Sequence, residues 1–150
     1  MKKYELTNET IEFHGRTLYR IRALKNFITC DGTPIKKGDV GGFIEGIKNL
    51  STDGTAWVSG DAKVYDDAIV FQNAFVTDNA QVYGNAKIGG NAKVFNESKV
   101  HNNAFVFEYA SVFDVANVGG YSHIYGHVKI GGGSMVGYNS KIGGESYLCF

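Results

Sequence analysis

A chain of 150 residues fits one domain, so separate catalytic and regulatory domains are not expected to share it. Fifteen Lys and Arg balance fifteen Asp and Glu to a formal net charge of 0, which removes the sequence-wide basic field of a dedicated nucleic-acid or anionic-membrane binder. Twenty Gly and a single Pro in a 43% hydrophobic chain describe a fold built on turns rather than helices. The opening residues lack a signal-peptide core, and no stretch approaches the roughly 20 apolar residues of a membrane span. A soluble cytoplasmic protein without membrane partners is therefore expected. Cys30 and Cys149 lack the spacing of a zinc or redox motif and read as two unpaired thiols.

In chain order, residues 1–50 read as short alternating strands: residues 4–7, residues 11–13, a turn at His14-Gly15, then a longer strand through Leu18, Tyr19, Ile21 and Ala23. They are expected to form a small β cap and lead-in. This segment carries nine Lys and Arg against six acids, and residues 51–150 carry six against nine, so the two parts differ as +3 against −3. Arg16, Arg20, Arg22, Lys25, Lys36 and Lys37 read as a solvated surface in preference to a phosphate or nucleic-acid patch.

From residue 51 the chain divides without a gap into six-residue units, sixteen of them over residues 51–146 with a remnant at 147–150. Position two is Val or Ile in every hexad but the first, from Val58, Val64 and Val70 to Ile142, with Leu148 in the remnant. Position six is small, from Ala56 to Ser146, and lies two residues before the next Val or Ile, so in an extended segment both point inward. Positions four and five are largely Gly, Asn and Asp, which tolerate left-handed backbone and make corners. One strand and one corner per hexad close as three sides of 18 residues, a three-sided parallel prism of about five and a half coils hydrogen-bonded coil to coil. Its first coil exposes unpaired backbone and an apolar cross-section, which is the physical need for a cap. Residues 51–150 and the cap together make one structural domain.

Positions one and three point outward and stack in columns. One face carries Ile69, Phe71, Lys87, Phe105, Phe107, His123 and Tyr125; another carries Trp57, Phe75, Phe95 and Phe113; the third carries Lys63, Tyr65, Tyr83 and His101. A one-layer rod has no second sheet to cover such rings, and contiguous apolar surface of this kind marks an interface. Ile69, Phe71, Phe105, Phe107 and Tyr125 are the expected oligomer interface. The competing reading is that stacked rings only stabilise adjacent strands, by roughly 0.2 to 1 kcal/mol per pair. Departures from the corner pattern gather in the C-terminal half, at Glu108-Tyr109, Asp114-Val115, Tyr121, His127 and Tyr138. Tyr109, Val115, Tyr121 and Tyr138 are the candidate partner-binding residues. The register places His127 one coil above Tyr109 and near Glu108, either a base with its orienting carboxylate or an ordinary surface His. The end, Tyr147-Leu148-Cys149-Phe150, is expected to fold over the last coil as an aromatic plug, unless another molecule covers it.

An aliphatic residue followed four places later by Ala, Ser, Thr or Val resembles the pattern of the hexapeptide-repeat proteins. Upstream, Arg16-Thr17-Leu18-Tyr19-Arg20-Ile21-Arg22-Ala23-Leu24, Gly38-Asp39-Val40-Gly41-Gly42-Phe43-Ile44-Glu45 and Asn49-Leu50-Ser51 are similar to the leader of the YdcK-like hexapeptide proteins of bacteria, prophages and phages. The resemblance spans nearly the whole chain. It implies an all-β, three-sided left-handed parallel β-helix with a small N-terminal β cap, the left hand being an exception to the usual crossover rule. It also implies a homotrimer, and carries no settled activity.

Many hexapeptide proteins transfer an acyl group from coenzyme A with a His in a groove between subunits. On that reading His127, Glu108 and His123 are the catalytic candidates and acetyl-CoA is the donor. His14 and His101 complete the supply of imidazoles, but no long loop interrupts the sixteen hexads to shape a groove for the acceptor. A zinc site needs three converging His; His123 and His127, four apart, do not match that family's spacing, and no metal is expected. Asp61, Asp66, Asp67 and Asp78 are explained by turn formation without calcium. The reading carried forward is a non-enzymatic, cofactor-free binding protein that engages a bacterial protein or a small ligand. The likeness to phage proteins points to counter-defence, with a sponge that holds a nucleotide signal at a subunit interface as a variant, in which Tyr and Arg would stack on and clamp the ligand.

Overall fold

The computed structural model describes residues 2–149. Strands β1 (Tyr4–Phe13) and β2 (Arg16–Ala23) form an antiparallel hairpin around His14 and Gly15, whose φ angles of 49° and 78° match the twist a two-residue turn must follow. The two short strands expected before that turn are a single strand, carried across a register shift between Leu6 and Thr10. A second hairpin pairs β3 (Phe27–Ile28) with β4 (Pro34–Ile35). Its turn is clamped by Asp31, whose Oδ1 accepts from Thr29 Oγ1 at 2.5 Å and from Thr33 Oγ1 at 2.8 Å. Strand β5 (Val40–Ile44) pairs antiparallel with β2 on one edge and parallel with Lys63–Val64 on the other. It is where hairpin becomes coil.

The rest is a left-handed parallel β-solenoid of about six turns, interrupted by one 3-10 turn at Ile47–Asn49. Strands stack in register 18 residues apart, as Phe105 does between Lys87 and His123. The first coil begins upstream of residue 51: Ile44 lies beside Val64 and Leu50 beside Val70, two residues more than the later repeat. Every position-two side chain from Val58 to Ile130 is fully buried, together with the small residues at position six. At Ser98, Ser122, Ser134 and Ser140, which replace Ala at position six, the hydroxyl donates back to the carbonyl three residues earlier, as Ser98 does to Phe95 at 2.7 Å and Ser134 to Gly131 at 2.7 Å. A buried hydroxyl is thereby satisfied without disturbing the core.

Hydrogen bonds between coils have a direction. In each hexad from residue 57 to residue 128, positions one, three and five donate their N–H groups to the coil above, for example Lys87 to Ala104, Gly89 to Val106 and Asn91 to Glu108. The lower rim of the first coil is therefore rich in carbonyls without N–H partners, and buried acceptors left unpaired are costly. The cap supplies donors from side chains. Lys3 Nζ donates to Ala56 O at 2.5 Å, Tyr4 Oη to Leu50 O at 2.7 Å, and Arg20 Nη1 to Gly41 O at 2.7 Å. Lys3 is 0% exposed. Burial, reinforced by nearby Lys25 and opposed by Asp53, brings its pKa down to about 8.

The cap also overruns the ends of two faces, which corrects the expectation that all outward rings of a one-layer rod lie uncovered. On the Trp57 face, Trp57 and Phe75 are 0% and 5% exposed. Phe27 meets Trp57 edge-on with centroids 5.3 Å apart, and Tyr4 does so at 6.4 Å. On the Lys63 face, Tyr65 is buried with Leu18 and Phe43, and Phe13 packs edge-on against it at 5.6 Å. Burial pushes the Tyr65 phenol up to about 12. At the other end, Tyr147–Cys149 is a strand continuing the Trp57 face, with Tyr147 edge-on to Phe113 at 6.1 Å. These three residues extend the sheet instead of plugging the coil, and Phe150 lies outside the described residues.

Candidate functional site

The Ile69 face keeps its rings uncovered by the cap. Its strands, from Ile69–Val70 to Lys141–Ile142, form a five-stranded parallel sheet. Phe71 approaches Phe105 at 6.2 Å, Phe105 meets Phe107 at 4.6 Å, and Phe107 stacks on Tyr125 at 5.4 Å and 19°. The His123 ring closes the cluster edge-on to Phe105 and Phe107. Of the five residues expected at an oligomer interface, Phe71, Phe105, Phe107 and Tyr125 form one ring cluster and Ile69 begins the same sheet, each half-buried.

The corners follow one backbone rule. Position four is left-handed in all sixteen hexads, at Gly in eight and at Asp66, Gln72, Asp78, Asn96, Asn102, Glu108, Asp114 and Tyr138 in the others. Six of these eight side chains brace the corner by accepting from the position-four N–H one coil above. Gln72 accepts from Gly90 at 2.6 Å, Glu108 from Gly126 at 2.7 Å and Asp114 from Gly132 at 2.8 Å, and Asp66, Asp78 and Asn96 do the same. Glu108 therefore bonds the backbone of Gly126 and not the imidazole of His127. His127 does stack on Tyr109, with centroids 4.9 Å apart and the planes at 2°. His123 stands apart from this pair, on the Ile69 face.

The candidate partner-binding residues are exposed, Tyr138 most of all at 92%, but they do not form one patch. Tyr109 stands beside His127 on the corner between the Ile69 and Trp57 faces. Val115 lines an acidic groove with Asp61, Asp78, Glu97 and Asp114 on the next corner. Tyr121 and Tyr138 share the third corner, joined by the Tyr121 N–H donating to Tyr138 O. There Tyr121 belongs to a groove of about 450 Å3 with Asn85, Lys87, Asn103, Phe105 and His123. Tyr138 borders an apolar recess with Met135 and Gly137. The sequence reading missed Asn85, Lys87 and Asn103, because Asn is the ordinary corner residue and Lys an ordinary outward one. The signal available was that positions five and one at the same corner of three successive coils face a shared groove.

The arginines of the cap face acids. Arg16 Nε lies 2.5 Å from Asp66 and Arg20 Nε 2.8 Å from Glu9, while Arg22 Nη2 lies 2.6 Å from Glu5. Arg16 and Arg20 also lie over the Tyr65 and Phe43 rings. Both thiols are free, Cys149 exposed and Cys30 half-buried with its pKa raised chiefly by burial. Among the described residues no three His, Cys, Asp or Glu side chains converge to hold a metal ion, and no helix is long and apolar enough to cross a membrane.

Comparison with protein-family models and with curated proteins finds no match to this chain.

Proposed function

We propose that the protein is a non-enzymatic binding protein, a rigid β-solenoid that self-associates through its Ile69 face and engages a bacterial protein or small ligand at its irregular corners. The observation that supports this reading is the uneven coverage of the rings: cap residues pack on Trp57 and Tyr65, which are buried, whereas Phe71, Phe105, Phe107 and Tyr125 pack on one another and stay half-buried. A run of partly exposed rings on one face suits an interface. Closed cyclic symmetry with the axis beside that face buries it in every copy, and the likeness to hexapeptide-repeat proteins points to three copies. On the same likeness, to the YdcK-like proteins of bacteria and phages, the task is counter-defence in the bacterial cytoplasm, with neither cofactor nor metal. Nucleic acid is not a partner on this reading, since Arg16, Arg20 and Arg22 are engaged by carboxylates.

The competing acyltransferase reading would need His127 or His123 as base. With Glu108 bonded to Gly126, His127 lacks that carboxylate as an orienting partner, and orientation is what such a base requires. Native mass spectrometry of the protein purified from bacteria, with and without acetyl-CoA, separates the two. A trimer with no bound acetyl-CoA agrees with the binding protein. One coenzyme A per subunit contact overturns it in favour of the transferase.

A further inference from the structure

We propose that the groove on the corner between the Lys63 and Ile69 faces binds a small anion that carries a planar heteroaromatic ring, the chemistry of a nucleotide. This deepens the binding reading given above and rests on it only in class, because the groove is lined by one chain and needs no neighbour to complete it. Its volume of about 450 Å3 falls within the roughly 300 to 1,000 Å3 of small-molecule sites.

Two ladders line it. Lys87, Phe105 and His123 hold position one of three strands paired in register, so an ammonium, a phenyl ring and an imidazole follow one another along the rod at strand spacing, about 4.8 Å. Two residues before each of them, at position five of the corner, stand Asn85, Asn103 and Tyr121. The amides of Asn85 and Asn103 each offer donors and an acceptor, the combination that reads the edge of a heterocycle. Tyr121, 63% exposed, offers a ring face for stacking, and Phe105, packed against Phe107, forms part of the groove wall. Lys87 supplies the charge: it is exposed, and among the described residues it has no ion-pair partner. The one carboxylate in the groove, Asp67, is held by Lys48 at 3.0 Å, which offsets its repulsion of an anion.

Two recesses on neighbouring corners differ. The groove beside Val115 is lined by Asp61, Asp78, Glu97 and Asp114 and repels anions, and the recess at Met135 holds no Lys or Arg side chain.

Isothermal titration calorimetry of the full chain tests the site with three probes: adenosine 5′-monophosphate, inorganic phosphate and adenosine. The nucleotide is expected to bind, with phosphate alone and adenosine alone at least about tenfold weaker, since each keeps only the charge contact or only the ring contacts. Lys87→Gln is expected to weaken the nucleotide about tenfold, the effect of losing one charged hydrogen bond, and raised salt is expected to weaken it further. Circular dichroism confirms that the variant folds. The proposal is overturned if the nucleotide does not bind, if phosphate binds as tightly as the nucleotide, or if Lys87→Gln leaves its affinity unchanged. Native mass spectra of the same samples report self-association separately, so failure of the groove and failure of the oligomer are distinguishable.

Discussion

The ring of Phe71 lies over Gly89, the position-three residue one coil above, so closely that a Cβ built on that glycine would stand 2.6 Å from Phe71 Cζ. The same relation holds for His101 under Gly119, Phe113 under Gly131 and Tyr125 under Gly143. An aromatic at position three leans up the rod and fills the space of the side chain above it. Gly89→Ala is expected to displace the Phe71 ring and cost roughly 1 to 3 kcal/mol, the usual penalty of overpacking. Gly137→Ala, where a Cβ meets nothing within 4 Å, is the matched control, expected to change stability by less than about 0.5 kcal/mol. Urea unfolding of the two variants reads the difference directly.

Tyr138 stands in the left-handed region at φ 56°, where a bulky side chain is strained. Tyr138→Gly is expected to raise stability by roughly 1 to 2 kcal/mol, the strain of the left-handed backbone. Gly90→Ala is expected to do the reverse. Its φ is also left-handed, at 59°, and a Cβ there would stand 2.6 Å from Glu108 N. A strained tyrosine kept 92% exposed fits a surface selected for contact rather than for stability. A loss of stability in Tyr138→Gly would argue against this view of the corner.

Much of the architecture is legible because a six-residue rule repeats. Val58 through Ile130 announce the core, and Gly, Asn and Asp at position four announce the left-handed corners that the structure shows. Residues outside the rule were not legible. Nothing local in Lys3 says that its ammonium reaches Ala56 O, a contact set only when the cap closes on the coil. Trp57 and Phe75 carry the same outward pattern as Phe105 and Phe107, and they differ because the β3–β4 hairpin and Tyr4 fold back on that face. The shift from Leu50 to Val58 hides the first coil, since two extra residues break the phase. In the candidate site, the ring cluster could be read from the columns, whereas the bond from Gly126 to Glu108 depends on a rotamer that spacing does not specify.

Stability is expected to depend on alkaline pH with a sign set by three buried groups. Lys3 has a folded pKa of about 8 against the ordinary 10.5, so between these values the unfolded chain binds more protons and stability rises with pH. The full effect is about 3 kcal/mol, at 1.36 kcal/mol per pKa unit. Tyr4 and Tyr65, both raised to about 12 by burial, act oppositely above pH 10, where unfolded phenols ionise first. Stability is therefore expected to rise from pH 8 to about 10 and fall beyond it. Denaturant midpoints across this range check the curve, and Lys3→Met should remove the rising limb while leaving the fall.

The most direct test of the account is sedimentation equilibrium of the purified chain beside the variant Phe105→Ser, Phe107→Ser, which strips two rings from the centre of the Ile69 face and leaves its Val and Ile core column in place. The account predicts a trimer at micromolar concentration for the native sequence and a folded monomer for the variant. A native chain that sediments as a monomer, or a variant that remains a trimer, would contradict it.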